Sequence, residues 1–343
     1  MFKKIISSLI YLSLFGAFNS HAEECQSITQ LENSRTNTGS IYTSGKHCLD
    51  YDILQKRVFD IHAGSFKSLA GNSLLEIRYP AQYVDYAANK AEKTWMKPTV
   101  NPPITDSTVF QIDLRGYTLS AEAENMVGIE NWSGGLKVSV KNGYINVPGN
   151  RDPNYGISLR GESDPKMIPK NENKNSLKKS KPCWPSTTNC EDISFYEDYD
   201  KNKEHYRSSD YLVESVNIKA GWRGVIMGGA GNVIRNSTID VDGHTAIYMY
   251  GPGSIIENNT IIIHGQGEAK EYDAAIKLRD ADGAVVRNNK IIYKGFWFGK
   301  APAAINLLDS SDVNISENIV ENFKQLVRSN GESHFIESGN VIK

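Results

Sequence analysis

A short apolar strand recurs along the chain at nearly constant spacing, and this limits the fold more than any other feature. It reads Gly156-Ile157-Ser158-Leu159, Gly224-Val225-Ile226-Met227, Ala246-Ile247-Tyr248-Met249, Ala275-Ile276-Lys277-Leu278 and Ala304-Ile305-Asn306-Leu307. A more degenerate copy, Leu326-Val327-Arg328, ends the series. From Val225 the successive spacings are 22, 29, 29 and 22 residues. A second strand keeps step with the first, as "VSVKNGYI", "LVESVNI", "VIRNSTI", "IIENNTI", "VVRNNKI" and "NISENIV". Its anchors are Val213, Ile234, Ile256, Val286 and Ile315.

A unit of about 22 residues with two short strands and Gly or Asn at its corners predicts a solenoid. Strand side chains alternate between faces, so Ile and Leu turn inward while Ser158, Tyr248, Lys277 and Asn306 turn outward. One coil cannot bury its inner row alone, whereas stacked coils form a continuous apolar column. Asparagine suits the corners because it tolerates left-handed backbone angles and its amide can hydrogen-bond along the stack. Leucine-rich and propeller folds are excluded by the absence of their repeat patterns.

These units, "IIENNTI" and "VVRNNKI" above all, resemble those of right-handed parallel β-helix proteins of the pectate-lyase-like superfamily. The resemblance covers about residues 105–343 and implies an all-β, right-handed parallel β-helix solenoid; residues 23–104 fit as an N-terminal cap and first coils. It implies no single activity, since one fold carries many functions.

Both 29-residue spacings hold extra residues, "HGQGEAKEY" near 264–272 and "YKGFWFGKAPA" near 293–303. Each lies between the second strand of one coil and the first strand of the next, which places both on one edge. The longest insertion, about 161–211, leaves the other end of the first strand after Leu159. The outward row Ser158, Ile226, Tyr248, Lys277, Asn306 and Arg328 is thus bordered on both sides, as a groove would be. The long insertion is rich in lysine, then acidic and aromatic; a lid and a solvated loop are both consistent with that composition.

Candidate chemistry centres on this row. Gly243-His244 and Ile276-Lys277 resemble two elements of the pectin-hydrolase branch of the superfamily. That chemistry needs clustered carboxylates in the coil before the histidine. The coil reads "GWRGVIMGGAG" and has none, so His244 is expected to be a turn residue bonded to Asp242 or to backbone. A lyase needs only a base beside the sugar carboxylate and a cation to hold the developing charge. Lys277 and Arg279 share a strand face, and a neighbouring positive charge favours the neutral amine that a base requires. Tyr248, Tyr250 and Trp297 offer faces for sugar rings, with Asn306 and Arg328 as polar contacts. Against this stands the ordinary role of Lys and Arg as solubilising residues on a solvated strand face. Asp273, Asp280, Asp282 and Asp309 could supply oxygen ligands to calcium, but their spacing fits no dedicated loop, and no cofactor is expected.

The chain opens MFKKIISSLIYLSLFGAFNSHA, a positive start, an apolar run and a small-residue cleavage site. This pattern predicts a signal peptide over 1–22, cleavage near Ala22, and a periplasmic or secreted product. No later run is apolar and long enough for a membrane span. Cleavage would move the formal charge from −2 to −4 by removing Lys3 and Lys4, a balance unlike that of nucleic-acid-binding proteins. Four cysteines in an exported chain favour disulfides over metal, with three pairings open on paper. Local spacing favours Cys25–Cys48 and Cys183–Cys190. The resulting expectation is an exported β-helix protein with a groove for an extended anionic polysaccharide. It is either a lyase or epimerase, or a non-catalytic carbohydrate-binding or surface-structural protein.

Overall fold

Each repeating coil carries three strands, one more than the spacing of apolar residues predicts. The computed structural model describes residues 25–28, 39–41, 45–55, 73–77, 109–121, 126–131, 137–149, 154–159, 210–267, 272–295, 301, 303–330 and 332–343. Within them a coil runs Ile247–Tyr250, Ile255–Glu257 and Thr260–Ile263, and the next runs Ile276–Arg279, Val285–Arg287 and Lys290–Tyr293. The extra strand follows the Asn-Asn pair. Asn236, Asn258 and Asn288 take φ of 53°, 57° and 55°, and Glu317 takes 58°. One left-handed residue bends the chain between two strands without disturbing the apolar alternation, so the sequence reads through it.

First strands of successive coils form a front sheet of nine parallel strands among the described residues, from Gly39–Ile41 to Val327–Asn330. The second and third strands form a back sheet of 17. Every described pairing is parallel and joins one coil to the next, which defines a parallel β-helix. The register follows the repeat: Ile157 pairs with Val225, Val225 with Ile247, Ile247 with Ile276, Ile276 with Ile305 and Ile305 with Val327. The inner column from Ile157 to Ile305 has no solvent exposure, nor has the facing column Val213, Ile234, Ile256, Val286 and Ile315. Small residues precede the front strands because the two sheets converge there. A methyl at Gly224 would collide with Ile239 Cγ2.

Bonding along the stack is strongest at the bend. Asn289 Oδ1 accepts from the backbone N–H and side-chain amide of Asn259, both at 3.0 Å, and Asn289 Nδ2 donates to Ile256 O at 2.9 Å. Asn318 and Asn340 repeat the arrangement in the following coils. Asn259, Asn289 and Asn318 are buried, so the ladder satisfies backbone groups that water cannot reach. The two asparagines of a pair therefore have different tasks: the first supplies the left-handed angle and the second supplies the ladder.

The outer face of the back sheet carries alternating charges in register, Lys141, Glu214, Arg235, Glu257 and Arg287. Glu214 accepts from Arg235 at 2.6 Å and pairs with Lys141 at 3.2 Å; Arg287 meets Glu257 at 2.6 Å. Near the N-terminus Cys25 and Cys48 form the expected disulfide, with Cα atoms 5.8 Å apart. Cys183, Cys190, Trp297, the 1–22 segment and nearly all of the 161–211 insertion lie outside the described residues. No helix among the described residues is long and apolar enough to cross a membrane.

Two predictions follow from these ladders. Asn288→Gly should be nearly neutral, because glycine takes the left-handed angle freely, whereas Asn289→Gly should cost roughly 2–4 kcal/mol by stranding buried donors and acceptors. Equal denaturation midpoints for the two variants would refute the division of labour. The second concerns Glu214, whose carboxyl is held below its ordinary value of 4.5, first by the hydrogen bond from Arg235 and then by Lys141, against the effect of burial. A lowered folded value means that its stabilising contribution is complete above the unfolded value and disappears as pH falls through the folded one. The stability gap between wild type and Glu214→Gln, on the order of 1 kcal/mol at neutral pH, should therefore narrow below about pH 4.5 in denaturant titrations.

Candidate functional site

The outward row predicted from the repeat exists in the predicted order: Ser158, Ile226, Tyr248, Lys277, Asn306 and Arg328 are successive partners across the front sheet. Tyr250 and Arg279 pair two residues further along the same face. The row is not the solvated strand face that would make its cations ordinary solubilising residues. Tyr248 is 5% exposed, Lys277 4% and Asn306 0%, and Ser158 and Ile226 are buried as well. The alternation of a strand says which side chains leave the solenoid core; it does not say whether water meets them outside it.

An apolar cluster separate from the solenoid core sits on this outer face, made of Val127, Tyr155, Ile226, Tyr248 and Tyr250, with Trp222 packed against it. Tyr248 and Tyr250 have ring centroids 5.6 Å apart, tilted by 54°. Two cations meet Tyr248: Lys277 Nζ lies 5.0 Å from its ring centroid and Arg223 Cζ 5.3 Å. Arg223 is 1% exposed, and its guanidinium lies 3.9 Å from Asp273, which also accepts from Thr245 Oγ1 at 3.1 Å. Arg279 lies 3.9 Å from buried Asp280. The buried charges among them, Arg223, Lys277 and Asp280, would be costly in isolation, and proximity to rings and opposite charges offsets part of that cost.

Exposure rises towards the C-terminal coils. Arg279, Leu308, Arg328 and Asn330 are partly exposed, and they form the rim of the buried cluster. Arg328 Nε donates to Asn306 Oδ1 at 3.1 Å, and its guanidinium lies 6.0 Å from the Tyr272 ring. The row therefore brings together Tyr248, Tyr250, Lys277, Arg279, Asn306 and Arg328 as the sequence suggests.

Arg223 is the residue that reading by motif misses. The "GWRGVIMGGAG" coil draws attention for the carboxylates it lacks, yet its arginine stands where the next three coils, by their spacing, have Thr245, Ala274 and Ala303. That departure from small residues is the available signal. His244 has the expected turn role: its Nε2 donates to Gly267 O at 3.1 Å. The four candidate aspartates do not converge. Asp273 and Asp280 meet arginines, Asp282 accepts from Ser311 N at 2.6 Å, and Asp309 accepts from Glu332 N at 3.4 Å. No group of three or more His, Cys, Asp or Glu able to hold a metal occurs among the described residues.

Residues 204–343 match the family model described as the right-handed beta helix region, and these residues include the coils that carry Arg223, Tyr248, Lys277, Asn306 and Arg328. No curated protein and no solved structure matches the chain. With its parallel sheets, the solenoid is a right-handed β-helix.

Burial reverses what a solvated lysine would predict for stability. Lys277→Ala should cost roughly 1–2 kcal/mol through lost ring contact and stem packing, and Lys277→Met, which keeps the stem, should recover part of that. Ile276→Ala, on the inner face, should remain costlier at roughly 2–5 kcal/mol. Chemical denaturation of the three variants checks the order; a neutral Lys277→Ala would mean that the side chain is solvated.

Proposed function

We propose that this is an exported β-helix protein whose front face binds an acidic polysaccharide, with Lys277 and Arg279 at the centre of a lyase or epimerase reaction. The observation that supports this reading is the burial of Arg223, Lys277, Asn306 and two tyrosines outside the solenoid core, with Arg279 beside them. A strand face that only keeps a protein soluble leaves its cations in water, and enclosed polar groups beside apolar rings are a mark of binding sites. Export agrees with the leader-like first 22 residues and with the Cys25–Cys48 bridge, which suits an oxidising compartment.

The chemistry asked of the site is removal of the proton next to a sugar-ring carboxylate. Lys277 is the candidate base, and Arg279 the cation that holds charge as it moves onto the carboxylate oxygens. Expulsion of the glycosidic oxygen, with its bonding electrons and a proton from solvent, then leaves a ring double bond. Return of a proton to the opposite ring face would give an epimer instead. Tyr248 and Tyr250 supply apolar faces on which sugar rings pack.

The position of Lys277 favours a second reading, a carbohydrate-binding protein without catalysis. Its ammonium is held 5.0 Å from the Tyr248 ring centroid, an arrangement that serves a fixed cation as well as it serves a base. Incubation with a panel of uronate polymers separates the readings. A lyase generates the absorbance of an unsaturated product, an epimerase changes the ring configuration seen by NMR, and both activities should be lost in Lys277→Met. Binding that falls with added salt, without product, would establish the non-catalytic reading. Absence of binding to every uronate polymer would overturn both.

A further inference from the structure

Asn306 has no solvent exposure and lies between two cations of the outward row, Lys277 in the coil before and Arg328 in the coil after. The orientation of its amide is determined by its neighbours. Oδ1 accepts from Arg328 Nε at 3.1 Å and from Asn330 Nδ2 at 2.7 Å. Turning the amide over would set its NH2 against both donors, so the oxygen faces them and the nitrogen lies on the other side of Cγ. Asn306 Nδ2 is buried and has no hydrogen-bond partner. A buried amide N–H without an acceptor has lost its water and gained nothing in return, and structures seldom retain one without a reason.

What the site lacks is an acceptor, and its surroundings specify which kind. A neutral carbonyl would satisfy Nδ2 but would gain little from cations on both sides. A carboxylate would satisfy Nδ2 with one oxygen while its charge met the ammonium and the guanidinium, the combination in which hydrogen bonds are strongest. The partly exposed side chains of Leu308, Arg328 and Asn330 mark the side from which a ligand would approach.

We infer that Asn306 is the specificity-determining residue for a ligand carboxylate, which its Nδ2 receives between Lys277 and Arg328. This rests on the acidic-polysaccharide reading and deepens it by assigning one carboxylate to one amide. It also makes acid recognition depend on a neutral side chain, so that a sugar lacking the carboxylate leaves the amide unpartnered and is rejected.

The test uses the whole chain labelled with 15N, sodium glucuronate and sodium galacturonate as probes, and glucose and galactose as their neutral counterparts. At least one uronate should shift the Asn306 side-chain NH2 resonances saturably, and neither neutral sugar should. Asn306→Asp keeps an oxygen towards Arg328 and Asn330 but replaces the donor with an acceptor and adds negative charge. It should weaken uronate binding by at least about tenfold. The wild-type NMR measurement stands even if that variant fails to fold. No saturable shift with either uronate, or equal shifts with the neutral sugars, would overturn the inference. A uronate shift at Asn306 without binding of any uronate polymer would uphold the carboxylate site while defeating the polymer reading. Polymer binding that is unchanged in folded Asn306→Asp would do the reverse.

Discussion

Stacking of one coil on the next is the contact on which everything else in this protein depends. A strand of three or four residues has too few hydrogen bonds and too little apolar surface to persist alone, and neither sheet has a local hairpin to close it. Each strand instead finds its partner one coil away, and every coil completes the core of its neighbours. Shape requirements then propagate along the axis. The small-residue positions before the front strands, the left-handed residue at the bend and the amide at Asn259, Asn289 and Asn318 must all repeat at the same place in each coil. Insertions are tolerated only between strands, which is where the 29-residue spacings carry their extra length.

The same rule that holds the coils together aligns whatever they carry outside. Parallel in-register stacking turns one position per coil into a row, so side chains far apart in sequence become neighbours about 4.8 Å apart along the axis. On the back sheet this produces alternating charges from Lys141 to Arg287, where Glu214 meets Lys141 and Arg235 and Glu257 meets Arg287. On the front sheet the row changes character from coil to coil: apolar at Ile226, aromatic at Tyr248, cationic at Lys277, amide at Asn306 and cationic at Arg328. Uniform rows build a scaffold. A row in which each rung differs, and which is kept from water, is better suited to distinguishing the parts of a ligand.

Much of this was legible without coordinates, for a physical reason. Inner-row residues must be apolar in every coil, so Ile157, Val225, Ile247, Ile276 and Ile305 advertise both their register and their burial. The row opposite them follows by alternation, and the structure brings together Tyr248, Lys277, Asn306 and Arg328 in that order. The third strand was not legible, because a single left-handed asparagine leaves no break in the apolar pattern. Arg223 escaped notice because its partners, Tyr248 and Asp273, lie on later coils and no local motif joins them.

The sequence by itself determined the solenoid, its register and the membership of the outward row, since a one-dimensional stack writes its contacts as a period. Only the tertiary structure decided that this row is enclosed. Period two separates inside from outside of the β-helix, but the solvent exposure of an outside residue depends on chain remote from it in sequence, and no periodicity carries that information. From its strand alone Lys277 is either a groove residue or a solvated cation, and it becomes a buried one beside an aromatic ring once the coils are stacked and their outer face is packed.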